Sequence, residues 1–213
     1  MDSMEKEMKQ TIGGRHLILA SASPRRLAIM HENGYAPEVI PADIEEQIPS
    51  FLTPEEAVMH LALSKALAVK KRLAARDTEE AAPLPASLIV GADTIVVSNR
   101  KILGKPEDKD DARKMLRDLS GITHQVLTGV AMAVTDTDST ICFCEVTHVT
   151  FRDLPKQELE AYLDTNEPYD KAGGYGIQGT FSQYVEKTRG DINNVIGFPW
   201  QRFLFEAQRF PTA

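Results

Sequence analysis

Apolar positions along this chain recur with two different periods, and the switches between them predict the elements. An apolar run over residues 16–20 predicts a strand. Ser23-Pro24 then predicts a helix start, with Ser as cap and Pro in the first turn. Leu27 and Met30 keep helical spacing, and Gly34 supplies a stop. Residues 37–43 read as a second short strand, followed by an acidic loop at Glu45-Glu46. Thr53-Pro-Glu-Glu56 is a capping box that opens a long helix to about Ala75. Residues 76–87 combine acidic residues, alanines and two prolines, which predicts a surface loop. Residues 88–97 predict a strand, with a turn at 98–101 leading into Ile102-Leu103. A helix over 108–119 stops at Gly121. Strands are expected at 124–134 and 140–151, and a short helix at 155–163. A glycine-rich loop follows over 170–179, then a strand-like piece near 181–185 and a final helix over 199–208. Strands alternating with helices, plus hairpins, predict an α/β fold with a mixed twisted sheet.

Length and composition narrow this picture. A chain of 213 residues suits a single domain of two lobes, here residues 15–213, after a polar tail over 1–14 expected to fray. With 42% hydrophobic and 26% charged residues, it reads as an ordinary soluble globular protein. A formal charge of -7 argues against binding long nucleic acid, which normally needs a basic excess. A small anion needs only a local positive pocket. Cys142 and Cys144 fall on one face of a strand and read as reduced thiols rather than a metal site. No apolar run is long enough to cross a bilayer, so a cytoplasmic location is expected.

Five constellations carry candidate chemistry. Ser21-Ala-Ser-Pro-Arg-Arg26 lies where a strand hands over to a helix. Arg25 and Arg26 then sit in the first helical turn, which prefers acidic residues unless an anion fills the site; the alternative is two solvated arginines. Asp93, in Gly91-Ala-Asp-Thr94, lies within an apolar strand and should meet a cation, a metal or a lysine, at a strand break, because an unpaired buried carboxylate is costly. Gly91 and Ala92 would leave room for a ligand. Gly104-Lys-Pro106 offers Lys105 on a stiffened loop. Lys65 falls within the apolar stripe of the long helix, where it either meets an anion or snorkels outward. Gly173 to Gly179 would let the backbone approach a ligand, and Gln178 can both donate and accept. Glu45 and Glu46 are candidate metal ligands.

In this order, those motifs, with Ser64-Lys-Ala66, Ser120-Gly-Ile-Thr-His-Gln-Val126 and Ala172-Gly-Gly-Tyr-Gly-Ile-Gln-Gly179, resemble the Maf family of nucleotide pyrophosphatases. The matching motifs span nearly the whole chain. The resemblance implies two lobes flanking a deep cleft, a shape similar to inosine triphosphate pyrophosphatases. It implies cleavage of nucleoside triphosphates between the α and β phosphates, with Mg²⁺ or Mn²⁺, and a possible homodimer. Arg25, Thr94 and Gln178 resemble the members acting on dTTP, UTP and modified pyrimidine nucleotides. On this reading Arg26, Lys65 and Lys105 hold phosphates, Glu46 and Asp93 hold the metal, and Asp93 is ligand or base. Ser21, Arg25, Thr94, Lys171 and Gln178 bind and select the substrate. The competing expectation is a nucleotide-binding regulator of cell division without turnover.

Overall fold

The computed structural model describes residues 8–76 and 85–211. Most of the surface loop expected at 76–87 lies outside the described residues. The strands form one mixed sheet in the order β1-β2-β4-β6-β7-β8, with β3 on β2 and β5 on β4. These are β1 Thr11–Ile12, β2 Arg15–Leu19, β3 Glu38–Val39, β4 Ser87–Ser98, β5 Lys101–Leu103, β6 Thr123–Val134, β7 Thr140–Phe151 and β8 Val185–Arg189. The helices are α1 Pro24–Glu32, α2 Pro54–Arg76, α3 Lys109–Leu119, α4 Lys156–Leu163, α5 Ile192–Ile196 and α6 Trp200–Ala207. Strands β2, β3 and β4 run parallel where they pair, and every other pairing is antiparallel.

Alternation along β4 and β6 sends side chains to two layers. Ile89, Ala131 and Ala133 pack with Ala62, Ala66 and Val69 of α2. Leu88, Val90, Val130 and Met132 pack on the other face with Ile29 and Met30 of α1 and Trp200 and Phe203 of α6. The far ends of the same strands carry a second core, in which Val96, Val126 and Phe151 meet Leu116, Leu159, Tyr175 and Phe181. The long central strands therefore contribute to separate cores at their two ends.

The capping box forms as expected: Thr53 N donates to Glu56 Oε2 at 2.8 Å, and Glu56 N donates to Thr53 Oγ1 at 3.3 Å. The β4–β5 turn takes Asn99 and Arg100 to φ of 50° and 63°, a left-handed pair that suits a tight hairpin. Three expectations need correction. Thr11–Ile12, within the segment expected to fray, pairs with β2. Thr180–Tyr184 is a 3₁₀ turn, and the strand begins only at Val185. Phe181 and Tyr184 are both buried with ring centroids 5.1 Å apart, and an i, i+3 pair is brought onto one side by a three-residue period, not by a strand. Finally, Gly91 makes room for a helix rather than a ligand. A Cβ there would lie 2.2 Å from the Ala62 carbonyl oxygen, so α2 rests directly on the sheet.

Candidate active site

A cavity of about 780 Å³ opens at the edge of β4. β2 leaves β4 after Val90 and β5 joins it only at Val96. Between those points Asp93, Thr94 and Ile95 line the cavity, along with Ser21 beyond the end of β2 and Asp43 and Ile44 beyond β3. This is the carboxyl end of the parallel strands, where α/β sheets ordinarily bind ligands. Arg25, Arg26, Glu46, Lys65, Lys105, Lys171 and Gln178 line the same cavity, so the ten residues assigned roles on the sequence converge there. Glu45, the neighbour of Glu46, is exposed and does not line the cavity.

The strand break expected at Asp93 is absent, since β4 runs through it and pairs Asp93 with Gly129 of β6; Asp93 and Thr94 therefore point to opposite faces of β4 and build two halves of the site. On the α2 face, the Lys65 ammonium lies 2.6 Å from Asp93 Oδ1 and 2.8 Å from Glu46 Oε1. Lys65 is buried and points inward, settling the choice against snorkelling. Burial alone would raise the Glu46 pKa, but the Lys65 hydrogen bond and the charges of Lys65, Lys105 and Arg26 outweigh it and hold the carboxyl below its ordinary range.

On the other face, Arg26 is clamped. Its Nε donates to the Gly197 carbonyl at 3.0 Å, Nη1 to Ser21 Oγ at 2.9 Å and Nη2 to Thr94 Oγ1 at 3.2 Å. Burial pulls its pKa down, while the Asp93 carboxylate pulls it back. The first turn of α1 has no acidic residue, and Ser23 makes no side-chain cap. Ser21 Oγ instead accepts from Ser23 N at 3.2 Å. The solvated-arginine alternative holds in part for Arg25. Its guanidinium is about a third exposed and meets Asp170 Oδ2 at 2.7 Å, and Asp170 also pairs with Lys171. The carboxylate of Asp170 thus ties α1 to the glycine-rich segment at the cavity rim.

Most of the glycines in that segment serve the chain rather than the cavity. Gly173 and Gly174 adopt φ of 71° and 73°, and a Cβ on Gly173 would meet Val96 at 2.9 Å. Gly176, between Tyr175 and Ile177, does line the cavity. So does Gly104, where a Cβ would meet nothing within 4 Å. Sequence reasoning missed α5 and the buried polar groups Thr128 and Asn194 behind Arg26. Threonine in a strand is unremarkable, and five residues are too few for periodicity. The available signal was Asp191 before the helix, whose side chain accepts from Asn193 N, and Gly197 after it, at φ 129°.

Among the described residues nine charged side chains line the cavity: five cationic (Arg25, Arg26, Lys65, Lys105, Lys171) and four carboxylates (Asp43, Glu46, Asp93, Asp170). The site on this open mixed sheet is therefore a mixed-charge cavity with a small excess of cationic side chains. The family model described as Maf-like protein matches residues 16–210, and the chain belongs to that family. It is 43% identical over 196 residues to a Bacillus anthracis (strain CDC 684 / NRRL 3495) protein, covering 92% of this chain and 96% of that one. Proteins of Bacillus cereus (strain AH820) and Bacillus thuringiensis subsp. konkukian (strain 97-27) are each 42% identical with the same coverage. All three are named dTTP/UTP pyrophosphatase. No helix among the described residues is long and apolar enough to cross a membrane.

Proposed function

We propose that this protein is a nucleoside triphosphate pyrophosphatase that hydrolyses dTTP, UTP and modified pyrimidine nucleotides to the monophosphate and pyrophosphate, clearing the nucleotide pool. The observation that carries the reading is the convergence of Arg26, Glu46, Lys65, Asp93 and Lys105 in one cavity. The names of relatives at 42–43% identity over most of the chain support it.

A triphosphate brings about four negative charges, and a cavity whose own charges nearly cancel cannot neutralise them alone. Two hard carboxylates, Glu46 and Asp93, already converge on one cationic point, the Lys65 ammonium. That donor set fits a divalent ion such as Mg²⁺ or Mn²⁺, which is commonly held by one or two carboxylates plus substrate phosphates. Among the described residues no group of three or more acidic, His or Cys side chains could hold a metal, so the remaining ligands would be phosphate oxygens and water. When bound, such an ion supplies charge neutralisation and polarises the phosphoryl oxygens.

The chain's own residues do the rest. Lys105, at the open side of the cavity, and Lys65 pair with phosphate oxygens, and Arg26 presents a fixed positive charge toward them. Asp93 accepts a proton from water as that water attacks the α phosphorus. The bond from the α phosphorus to the bridging oxygen then breaks, and pyrophosphate leaves with the electron pair. Arg25 and Gln178, at the rim, contact the base, and Lys171 approaches it from the glycine-rich segment. Thr94 holds Arg26. Catalysis here is positioning and charge stabilisation.

The test is a panel of nucleoside triphosphates with Mg²⁺ or Mn²⁺, scored for pyrophosphate against orthophosphate. Pyrophosphate from dTTP and UTP is expected. Asp93→Asn should lower kcat by about a thousandfold, within the range for loss of a general base. Orthophosphate as the first product would overturn the mechanism. Binding of dTTP without monophosphate would favour the regulator.

A further inference from the structure

A hydroxyl buried in a protein interior needs a partner. Thr128 of β6 is fully buried and stands directly across the sheet from Thr94 of β4. Arg26 Nη2 donates to Thr94 Oγ1, Thr94 Oγ1 lies 3.0 Å from Thr128 Oγ1, and Thr128 Oγ1 donates to the Asn194 carbonyl at 3.0 Å. A guanidinium can only donate and a carbonyl can only accept. The two ends therefore fix the middle: Thr94 donates to Thr128. Each of the two hydroxyls is used once as donor and once as acceptor, and Thr94 is left with its oxygen facing the arginine.

The carbonyl that terminates this relay is itself anchored. The fully buried Asn194 side chain donates from Nδ2 to the Val126 carbonyl at 3.0 Å and to Thr147 Oγ1 at 3.1 Å. Thr147 in turn donates to the Asp191 carbonyl at 2.9 Å, at the start of α5. Gly190 lets α5 lie this close, since a Cβ there would fall 2.8 Å from Thr147 Oγ1. At the other end of α5, the Gly197 carbonyl receives Arg26 Nε. One short helix therefore reaches Arg26 by two routes, a direct bond at the Gly197 carbonyl and a relay from the Asn194 carbonyl through Thr128 and Thr94.

We propose that Thr128 and Asn194 are positioning residues for triphosphate hydrolysis: they set the direction of the Thr94 hydroxyl and the place of α5, and so orient the Arg26 guanidinium in the cleft. This rests on the reading of Arg26 as a cation that serves the substrate. A hydroxyl-free side chain at 128 leaves Thr94 without its acceptor. Thr94 is then free to turn its proton toward the arginine.

The experiment compares Thr128→Val with Thr128→Ser, which keeps the hydroxyl, using kcat/KM for dTTP per folded molecule and melting temperature measured in parallel. Thr128→Val is expected to lose about tenfold in kcat/KM, and Thr128→Ser to stay within about threefold of the parent chain. This is the scale of a misplaced but intact catalytic contact. Thr128→Ala is the second hydroxyl-free variant if valine prevents folding. Arg26→Gln sets the ceiling, and adding Thr128→Val to it should cost nothing further. A lowered melting temperature with unchanged kcat/KM in Thr128→Val would make Thr128 merely structural and overturn the proposal, as would equal losses in the serine and valine variants. Wild-type turnover in Arg26→Gln would instead sink the reading of Arg26 itself.

Discussion

His124 is almost fully buried between Phe151 and Tyr175, with its Nε2 2.7 Å from the Tyr175 hydroxyl. Burial pulls its pKa from an ordinary 6.5 to about 4. Between those two values the unfolded chain binds a proton that the native chain refuses, so stability falls as pH falls through this window. Lowering the pH from 7 to 5 should cost the wild type about 2 kcal/mol more than it costs His124→Gln, which carries no titrating ring. Urea unfolding of both chains at the two pH values measures this, and parallel pH profiles would refute it. The consequence reaches the site because Tyr175 lines the cavity and belongs to the segment that carries Gln178.

Among the elements, α2 is the one whose placement the site can least tolerate losing, because it carries Lys65 against Asp93. Gly91 and Gly129 hold it there: a Cβ would come within 2.2 Å of the Ala62 carbonyl oxygen and within 2.3 Å of the Val58 carbonyl oxygen. Both contacts are with helix backbone, which cannot swing aside like a side-chain tip. Gly91→Ala should therefore destabilise by about 3 kcal/mol and lower kcat/KM along with stability. Gly104→Ala, with nothing within 4 Å, should leave stability within about 0.5 kcal/mol of the parent while a change in KM reports how closely substrate approaches. Thermal unfolding of the three chains decides, and an unaffected Gly91→Ala would show that α2 yields freely. The contrast also marks what the sequence carried. Capping box, strand runs and breakers were legible because each is a local pattern, and Asp93 and Lys65 were legible because charge in an apolar context demands a partner, whereas Lys171 rested on the family resemblance and Asp43, in a polar loop, gave no signal. What Gly91 faces was not legible, because a glycine looks the same whether a ligand or a helix presses on it. Nor was the Thr128–Asn194 support, since its partners meet only when strands distant in sequence are paired and α5 is laid over them.

For the whole molecule, the central quantity is charge. The chain carries a formal charge of -7, yet five cationic side chains are gathered into one cavity against four carboxylates. The surface outside the cavity is thus more negative than the molecule as a whole and repels a free triphosphate. The cavity alone offers too little positive charge to hold one. Nucleotide and divalent ion should therefore bind as a linked pair, each weak without the other. A ligand at a hundred times its Kd stabilises the native state by about 2.7 kcal/mol. In a domain of this size that amounts to a rise of about 5–10 °C in melting temperature. A non-hydrolysable dTTP analogue with Mg²⁺ or Mn²⁺ should produce that rise, the analogue with EDTA should produce almost none, and Glu46→Gln should reduce the metal-dependent part. An equal shift with and without chelator would mean that the side chains neutralise the triphosphate by themselves. The pairing of Glu46 and Asp93 on Lys65 would then be a structural ion cluster and not the seat of a metal.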